Sequence, residues 1–446
     1  MINNIPARHS FIYGRPVRGN EFLNRKSELS TIFNRLYHGE STVISGEPHV
    51  GKSSLLLQLS ESAIQREYLG QDANKCIFAN IDLHAIEYQY TPARFWEEAL
   101  DHAQQRLSQN AKIANLASRA AREGYARRSL ERFFNEIGRR GGRLVLLLDE
   151  FECLLAHPNF KDPAFFALLR SLATRTRGLA TVSASRLSVA EMNQQGRSLL
   201  TTGSPFFNNT IEVRLQPFDD ETVDELLARA GNVFESVDRR YIRRVAGRNP
   251  FLLQAMAASL YEAKRENQAQ SRGQASHVQA AERFYERIAF HFDDLWSSLD
   301  NNTRTTAVIL SLLQLGGQSY GEKFNYREVQ RSDIFGLELQ KLAELGLAEQ
   351  DSSGWSVDLP NMLLWRDGRW SVSAQAFTWW VRDTVIAETR QLPTYEEWLH
   401  DKRYGLLLTE GQWDGLVNTV RNPPEWAAGG VKALAQMLFD TLLKGA

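Results

Sequence analysis

Eight consecutive residues, Gly46-Glu47-Pro48-His49-Val50-Gly51-Lys52-Ser53, fit the pattern GxxxxGK[ST]. An apolar run, Ser41–Ser45, precedes them, and an apolar stretch of helical character, Ser54–Leu59, follows. In that context the pattern describes a phosphate-binding loop. Glycines let the backbone wrap an anion with its N–H groups pointing inward, at the positive end of a helix. Lys52 is placed to reach the β- and γ-phosphates of a nucleotide, and Ser53 to offer its hydroxyl to Mg2+. Ser54, the next residue, is counted with the binding set.

A second pattern is Leu144-Val-Leu-Leu-Leu-Asp149-Glu150. An apolar strand ending in Asp-Glu offers one carboxylate, Asp149, to Mg2+. The other, Glu150, can orient and deprotonate an attacking water. A third is Thr181-Val-Ser-Ala-Ser-Arg186 at the end of another apolar run. Arg186 is placed to neutralise charge that develops during hydrolysis. No NKxD-type guanine signature stands out, so adenine is the favoured base.

These motifs need strands to carry them. Runs at Ser41–Ser45, Lys75–Leu83, Arg143–Asp149, Gly178–Ser185 and Thr210–Leu215 are apolar throughout rather than alternating. That suits a parallel sheet covered by helices on both faces. Helical patterns at Pro92–Ala121 and Arg128–Arg140 alternate with the strands, giving an α/β class. After Pro217 the pattern is helical only, at Asp219–Ala230, Val237–Val245 and Pro250–Lys264. Arg265–His277 is polar and reads as a linker or the solvated end of a helix. Helices near Asp300–Leu315, Asn325–Gln330 and Ile334–Leu345 precede short β signals at Leu347–Gln350, Gly354–Val357 and Gly368–Ser373, the outline of a winged helix. Leu392–Ala446 reads as three or four short helices. The expected divisions are 1–217, a nucleotide-binding core; 218–286, a helical lid; 287–388, a winged-helix domain; and 389–446, a small all-α domain.

Composition excludes several classes. The 446 residues are 43% hydrophobic and 24% charged, with a formal net charge of −1. This is an ordinary globular balance, and near-neutrality argues against a generic polyanion binder. Two cysteines, Cys76 and Cys153, exclude a disulfide framework and a four-cysteine zinc site. No HxH or HxxxH pair points to a metal hydrolase. No apolar window is long enough to span a membrane, and the polar N-terminus does not read as a signal peptide. The expected location is therefore cytoplasmic. Nine of the ten tryptophans follow residue 290, and read as core anchors before a partner surface.

Taken together the residues resemble a family. Phe22-Leu-Asn-Arg25-Lys-Ser-Glu-Leu29 is similar to the segment that wraps adenine in AAA+-related ATPases. Gly247-Arg-Asn-Pro250 resembles the GxP motif of their helical lid, and Leu215-Gln-Pro-Phe218 also matches. A P-loop core, a lid and a winged helix in this order are similar to STAND NTPases, particularly prokaryotic members and the archaeal-type ATPase branch. The resemblance covers roughly residues 11–388. It implies that Gly46, Gly51, Lys52 and Ser53 hold phosphate and Mg2+, that Asp149 and Glu150 handle Mg2+ and water, and that Arg186 is a sensor. It implies that Pro250 closes the pocket and that Tyr13 to Val17 and Arg25 line the adenine side. His49 departs from the basic or small residue expected there. Arg197 lies in the right stretch for an arginine finger acting in trans.

The implied function is a slow ATPase switch. ADP would keep it closed, and ATP would favour an open homo-oligomer that recruits an effector protein on another chain, in antiviral defence or cell death. The tail 392–446, with Trp398, Trp413 and Trp426, is either an adaptor or an extension packed on the winged helix. The alternative is a loader or initiator ATPase whose winged helix binds DNA. Residues 287–388 carry 9 Lys+Arg and 14 Asp+Glu, a sign that opposes phosphate contact. Arg106–Arg143 is the most basic stretch, either a solvated face or a surface for a ligand or nucleic acid. A degenerate scaffold is the third reading, opposed by the intact Lys52, Asp149 and Glu150.

Overall fold

The computed structural model describes residues 8–107, 110–197, 206–267, 273–316, 336–350, 370–386 and 430–444. The chain divides into two units, Arg15–Leu215 and Met1–Gly14 with Gln216–Ala446.

The first unit is built on a five-stranded parallel sheet. Its strands are β1 (Thr42–Ser45), β2 (Cys76–Asp82), β3 (Arg143–Asp149), β4 (Leu179–Ser185) and β5 (Ile211–Arg214). Their spatial order is β2-β3-β4-β1-β5. Side chains alternate across a strand, and both faces are covered. On one face, Leu144, Leu146 and Leu148 join Ile77, Phe95, Trp96, Phe133 and Phe134. On the other, Val145 and Leu147 join Ile44, Val182, Leu29, Phe33 and Leu55. This is why the strands read as continuous apolar runs.

The helices here are α1 (Lys26–His38), α2 (Lys52–Leu59), α3 (Ser62–Leu69), α4 (Pro92–Leu107), α5 (Ala111–Arg122), α6 (Arg127–Arg139), α7 (Glu152–Ala156), α8 (Pro163–Arg175) and α9 (Val189–Arg197). The single helical pattern expected over Pro92–Ala121 is two helices. Asn110 caps the second, its side chain accepting from Ile113 N at 3.3 Å, which satisfies an N–H that the new helix start would leave bare. α6 buries Leu130, Phe133, Phe134 and Ile137, the i, i+3, i+4, i+7 stripe of a surface helix. Truncating Phe134 would cost about 3–5 kcal/mol. α6 also touches the turn before β4 backbone to backbone. A Cβ on Gly178 would sit 2.0 Å from the Phe134 carbonyl oxygen, and one on Gly138 2.4 Å from that of Thr176.

The second unit contains α10 (Asp220–Ala228), α11 (Ser236–Ala246), α12 (Pro250–Glu266), α13 (Gly273–Ser298), α14 (Asn301–Gly316), α15 (Gly336–Glu344), the antiparallel pair β6 (Ala348–Gln350) and β7 (Trp370–Val372), α16 (Gln375–Trp380) and α17 (Val431–Lys444). α12 is buried on nearly all sides. The N-terminal stretch packs here: Phe11 stacks on Phe234 at 5.7 Å, and Ile12 N donates to Gln254 Oε1 at 2.9 Å.

Of the two readings of Arg265–His277, the solvated end of a helix holds at its start, where Glu266 is exposed, and fails at buried His277. Arg265 and Glu266 finish α12, and His277 lies buried in α13, 2.8 Å from buried Asp238. α13 runs unbroken through residues 286 and 287. Trp379 and Trp380 are both 2% exposed, in core positions. The expected elements at Asn325–Gln330 and Gly354–Val357, and Trp398, Trp413 and Trp426, lie outside the described residues. Among the described residues no helix is long and apolar enough to cross a membrane.

Candidate functional site

β1 ends at Ser45, and Gly46 opens a loop that enters α2 at Lys52. Gly46 has φ +151°, and a Cβ there would lie 2.9 Å from Val50 Cγ1 and 3.2 Å from the Leu215 carbonyl oxygen. Only glycine fits so tight a start. Val50 is buried in the core beside Ile44 and Leu215, and its N–H donates to Glu47 O at 3.3 Å. Gly51, at φ +107°, makes the turn into the helix. His49 is exposed and holds a left-handed φ of +64°, so its backbone shapes the loop while its ring faces solvent.

The Lys52 ammonium is buried and curls over its own loop, donating to Gly46 O at 2.9 Å and Glu47 O at 3.0 Å. Burial lowers its pKa, while the charges of Glu150, Glu152, Glu47 and Asp149 act in the opposite direction. The loop and the acidic end of β3 are thus close enough for their charges to act on one another.

At that end, Asp149 Oδ1 accepts from Glu150 N at 3.1 Å, and the Ser53 hydroxyl donates to the same carboxylate. Burial pushes the Asp149 carboxyl up; those two hydrogen bonds oppose the rise, and Asp82 adds to it. Glu150 has φ +52°, a left-handed conformation that costs a non-glycine residue energy. Burial and then the charge of Glu152 push the Glu150 carboxyl up.

The loop strand β1 and the acidic strand β3 are not neighbours; β4 lies between them. The end of β4 therefore emerges between the two motifs, and Arg186 follows it. Phe151 N donates to Ala184 O at 2.9 Å, locking the turn after β3 to β4. Arg186 N donates to Glu152 Oε1 at 3.1 Å, and its Nε lies 3.5 Å from the same oxygen.

The segment before α1 flanks α2. Val17 N donates to Ser54 Oγ at 3.1 Å, and Gly19 N to Gln58 Oε1 at 2.8 Å. Buried Arg25 pairs with Glu28 at 3.0 Å and directs its other nitrogen toward Val50 O at 3.5 Å. Lys52, Ser53, Asp149, Glu150 and Arg186 thus converge, and Ser54 and Arg25 support the loop from outside. Tyr13 and Pro250 belong to the other unit. There Tyr13 meets Phe251 edge-on at 6.2 Å, and Pro250 opens α12 behind the Asn249 cap, whose Oδ1 accepts from Phe251 N at 2.9 Å. Arg197 is the last residue of α9.

The sequence motifs do not mark Glu152, Asp82 or Glu212. Asp82 is paired in register with Asp149. Glu212 on β5 accepts from the Ser45 hydroxyl at the mouth of the loop and from Val189 N at 3.1 Å, the start of α9. The acid that ends the β2 run could have flagged Asp82. Nothing local marks Glu152 or Glu212, because the sheet order creates their contacts.

The basic stretch is largely paired within itself. Arg119 meets Glu123 at 2.7 Å and Arg127 meets Glu131 at 2.8 Å. Lys112, Arg139 and Arg140 all lie within 3.0 Å of Glu136. Arg143 donates to the backbone carbonyls of Leu36, Tyr37 and Arg177.

Among solved structures, the chain is similar to a Walker-type ATPase of Pyrococcus abyssi, at 18% identity and a TM-score of 0.48, over 83% of this chain and 99% of that one. It is similar to the Aeropyrum pernix ORC2 protein in ADPNP–ADP complexes, at 14% identity and a TM-score of 0.48, over 85% and 98%. It is also similar to Cdc6p of Pyrobaculum aerophilum, at 13% identity and a TM-score of 0.37, over 82% and 97%. No curated protein matches the chain. A sequence profile of the AAA-like domain matches residues 17–315, well over half of the chain, and joins both motif strands to the helices that follow them. The chain belongs to the AAA-like domain family.

Proposed function

We propose that this chain is an ATP-dependent switch of the STAND type, which binds ATP and ADP with Mg2+ and hydrolyses slowly. The observation that carries the reading is the convergence of buried Lys52 with Ser53, Asp149 and Glu150 at one end of the sheet. The loop fits a phosphate group: Gly46 and Gly51 hold conformations open to glycine, and the Lys52 ammonium already binds oxygen acceptors at the loop mouth. The hydroxyl of Ser53 and the carboxylate of Asp149, which meet in a hydrogen bond, would hold Mg2+. When bound, Mg2+ supplies charge neutralisation for phosphoryl transfer to water. Glu150 is the group to orient that water and take its proton, since burial raises its basicity. Arg186 is the group to neutralise charge on the phosphates.

A switch needs groups whose arrangement differs with the bound nucleotide. Arg186, two-thirds exposed and held loosely, suits that role better than a rigid motor part. In this reading the chain is closed when ADP-bound, and opens and associates with copies of itself when ATP-bound. Its output then passes to an effector on another chain, in the cytoplasm, in a defence or cell-death setting. The internal pairing of Arg119, Arg127, Arg139 and Arg140 supports a solvated face in preference to a nucleic-acid surface.

The deciding experiment identifies the nucleotide carried by the purified protein, released by denaturation and separated by chromatography. Stoichiometric ADP in the wild type and none in Lys52→Ala is the expected result. An empty site with rapid ATP turnover would sink the switch reading and favour a DNA loader.

A further inference from the structure

We infer that Glu152 is a latch on Arg186, a positioning residue that sets how strongly the site distinguishes a triphosphate from a diphosphate. The inference rests on the proposed role of Arg186 at the phosphates.

Glu152 opens α7, three residues beyond Asp149, and its side chain is 7% exposed. A carboxylate that deep requires partners. One oxygen, Oε1, has them: Arg186 N at 3.1 Å and Arg186 Nε at 3.5 Å. The other, Oε2, is buried and accepts no hydrogen bond among the described residues. Glu150 is the neighbouring acid. Glu152 thus neighbours the proposed water-orienting carboxylate and grips the residue that follows β4.

The two contacts to Arg186 differ in kind. The main-chain bond anchors the end of β4 whatever the side chain does. The guanidinium contact is long, and the Arg186 side chain is 66% exposed, so it can exchange Glu152 for another anion without moving the backbone. A third phosphate within reach competes with Glu152 for the same cation. With only two phosphates the guanidinium stays on Glu152. Glu152 therefore weakens triphosphate binding selectively. Releasing the arginine also leaves the Glu152 charge buried beside Glu150 with less compensation, which strengthens the latch.

The test measures affinity in the full chain with Mg2+, by displacement of a fluorescent nucleotide. The competitors are ADP and a hydrolysis-resistant ATP analogue. Glu152→Gln still accepts the Arg186 N–H but carries no charge. Beyond any shift common to both nucleotides, which the loss of charge near Lys52 would give, it should favour the ATP analogue over ADP by about two- to fivefold, the range of a partly exposed ion pair. In an Arg186→Ala background the same substitution should leave the ratio of the two affinities unchanged. Equal shifts for both nucleotides, or the same selective gain with and without Arg186, would overturn the latch. If Glu152→Gln fails to fold, Glu152→Asp withdraws the carboxylate while keeping its charge, and must give the same selective gain. If Arg186→Ala alone leaves the ratio of the two affinities unchanged, the sensor role itself fails. If it lowers the ratio and the Glu152 variants are silent, only the latch fails.

Discussion

Asp82 and Asp149 face each other in register at the ends of β2 and β3, two carboxyl groups side by side at the mouth of the site. Like charges at that spacing disfavour joint ionisation, and Asp82 contributes to the raised pKa of Asp149 after burial itself. Asp82 also accepts from His84 N at 3.0 Å, a bond that Asn can make equally. Asp82→Asn should therefore stabilise the fold by about 0.5–1 kcal/mol at neutral pH. The sign follows from linkage. An acid whose folded pKa is raised gives stability that is full below its unfolded pKa, near 4, and lost as pH rises through the folded value. The gain from Asp82→Asn should appear over that rising limb and vanish below about pH 4. Thermal melts across pH would show it; a constant gain at every pH would contradict the pairing.

Gly46 and Gly51 differ in a way that substitution can read. Alanine at Gly46 meets Val50 Cγ1 at 2.9 Å as well as an unfavourable φ, whereas alanine at Gly51 meets nothing within 4 Å and suffers only from its φ. Gly51→Ala should cost about 1–2 kcal/mol, and Gly46→Ala about 2–3 kcal/mol. Denaturant unfolding ranks them, and equal costs would mean that Val50 yields freely.

The two motifs were legible in the sequence because each is local: one strand, one turn, one helix start. So was the α/β class, since parallel strands buried on both faces leave continuous apolar runs. What sequence could not supply is anything that depends on strand order. Glu152 matters because β4 is inserted between β1 and β3 and brings Arg186 to it. The Asp238–His277 pair was hidden for a similar reason. A polar stretch between helices looks solvated until packing makes His277 a core residue. The break at Asn110 was missed because apolar periodicity resumes beyond it, and only the side-chain cap marks the interruption.

The pair just named makes its own prediction. Asp238 is fully buried and holds His277 at 2.8 Å, the Lys264 ammonium and Glu235 N. Burial alone would push its carboxyl up, but the contacts with His277 and Lys264 outweigh that and leave it below the ordinary value. Removing one partner of a buried pair strands the other. Asp238→Ala should cost about 3–5 kcal/mol at neutral pH. For an acid with a depressed folded pKa, this stability is present above the unfolded value, near 4, and is lost as pH falls through the folded one. The gap between variant and wild type should therefore close in acid. A gap that persists at pH 2 would assign the cost to packing alone.

Phe439 of α17 lies over the His277 ring, with centroids 4.1 Å apart, and meets Tyr241 edge-on at 6.1 Å. Leu434 and Ala435 are buried on the same helix. The end of the tail is thus part of the core of its unit, whatever the remaining residues of 392–446 do. Phe439→Ala should cost about 3–5 kcal/mol of that unit's stability. Near-wild-type unfolding would return the helix to the status of a detachable adaptor.

Glu136 decides what the basic helices present to solvent. It gathers Lys112, Arg139 and Arg140 within 3.0 Å, and hydrogen bonds from Arg139, then Arg140 and Lys112, hold its carboxyl well below the usual range. Three cations spent on one carboxylate are poor phosphate ligands, because each must leave a partner to bind a new one. The wild-type chain should therefore bind duplex DNA weakly, with a shallow dependence on salt. Glu136→Gln removes the one anion they share and should steepen the fall of log K with log salt by about one to two, since each phosphate contact adds about 0.9 to the slope. Fluorescence anisotropy between low and physiological salt measures it. A wild-type slope already near five or more, abolished by reversing Arg122, Arg128 and Arg132 to Glu, would show that the face contacts nucleic acid despite its internal pairing, and would shift the balance toward the loader reading.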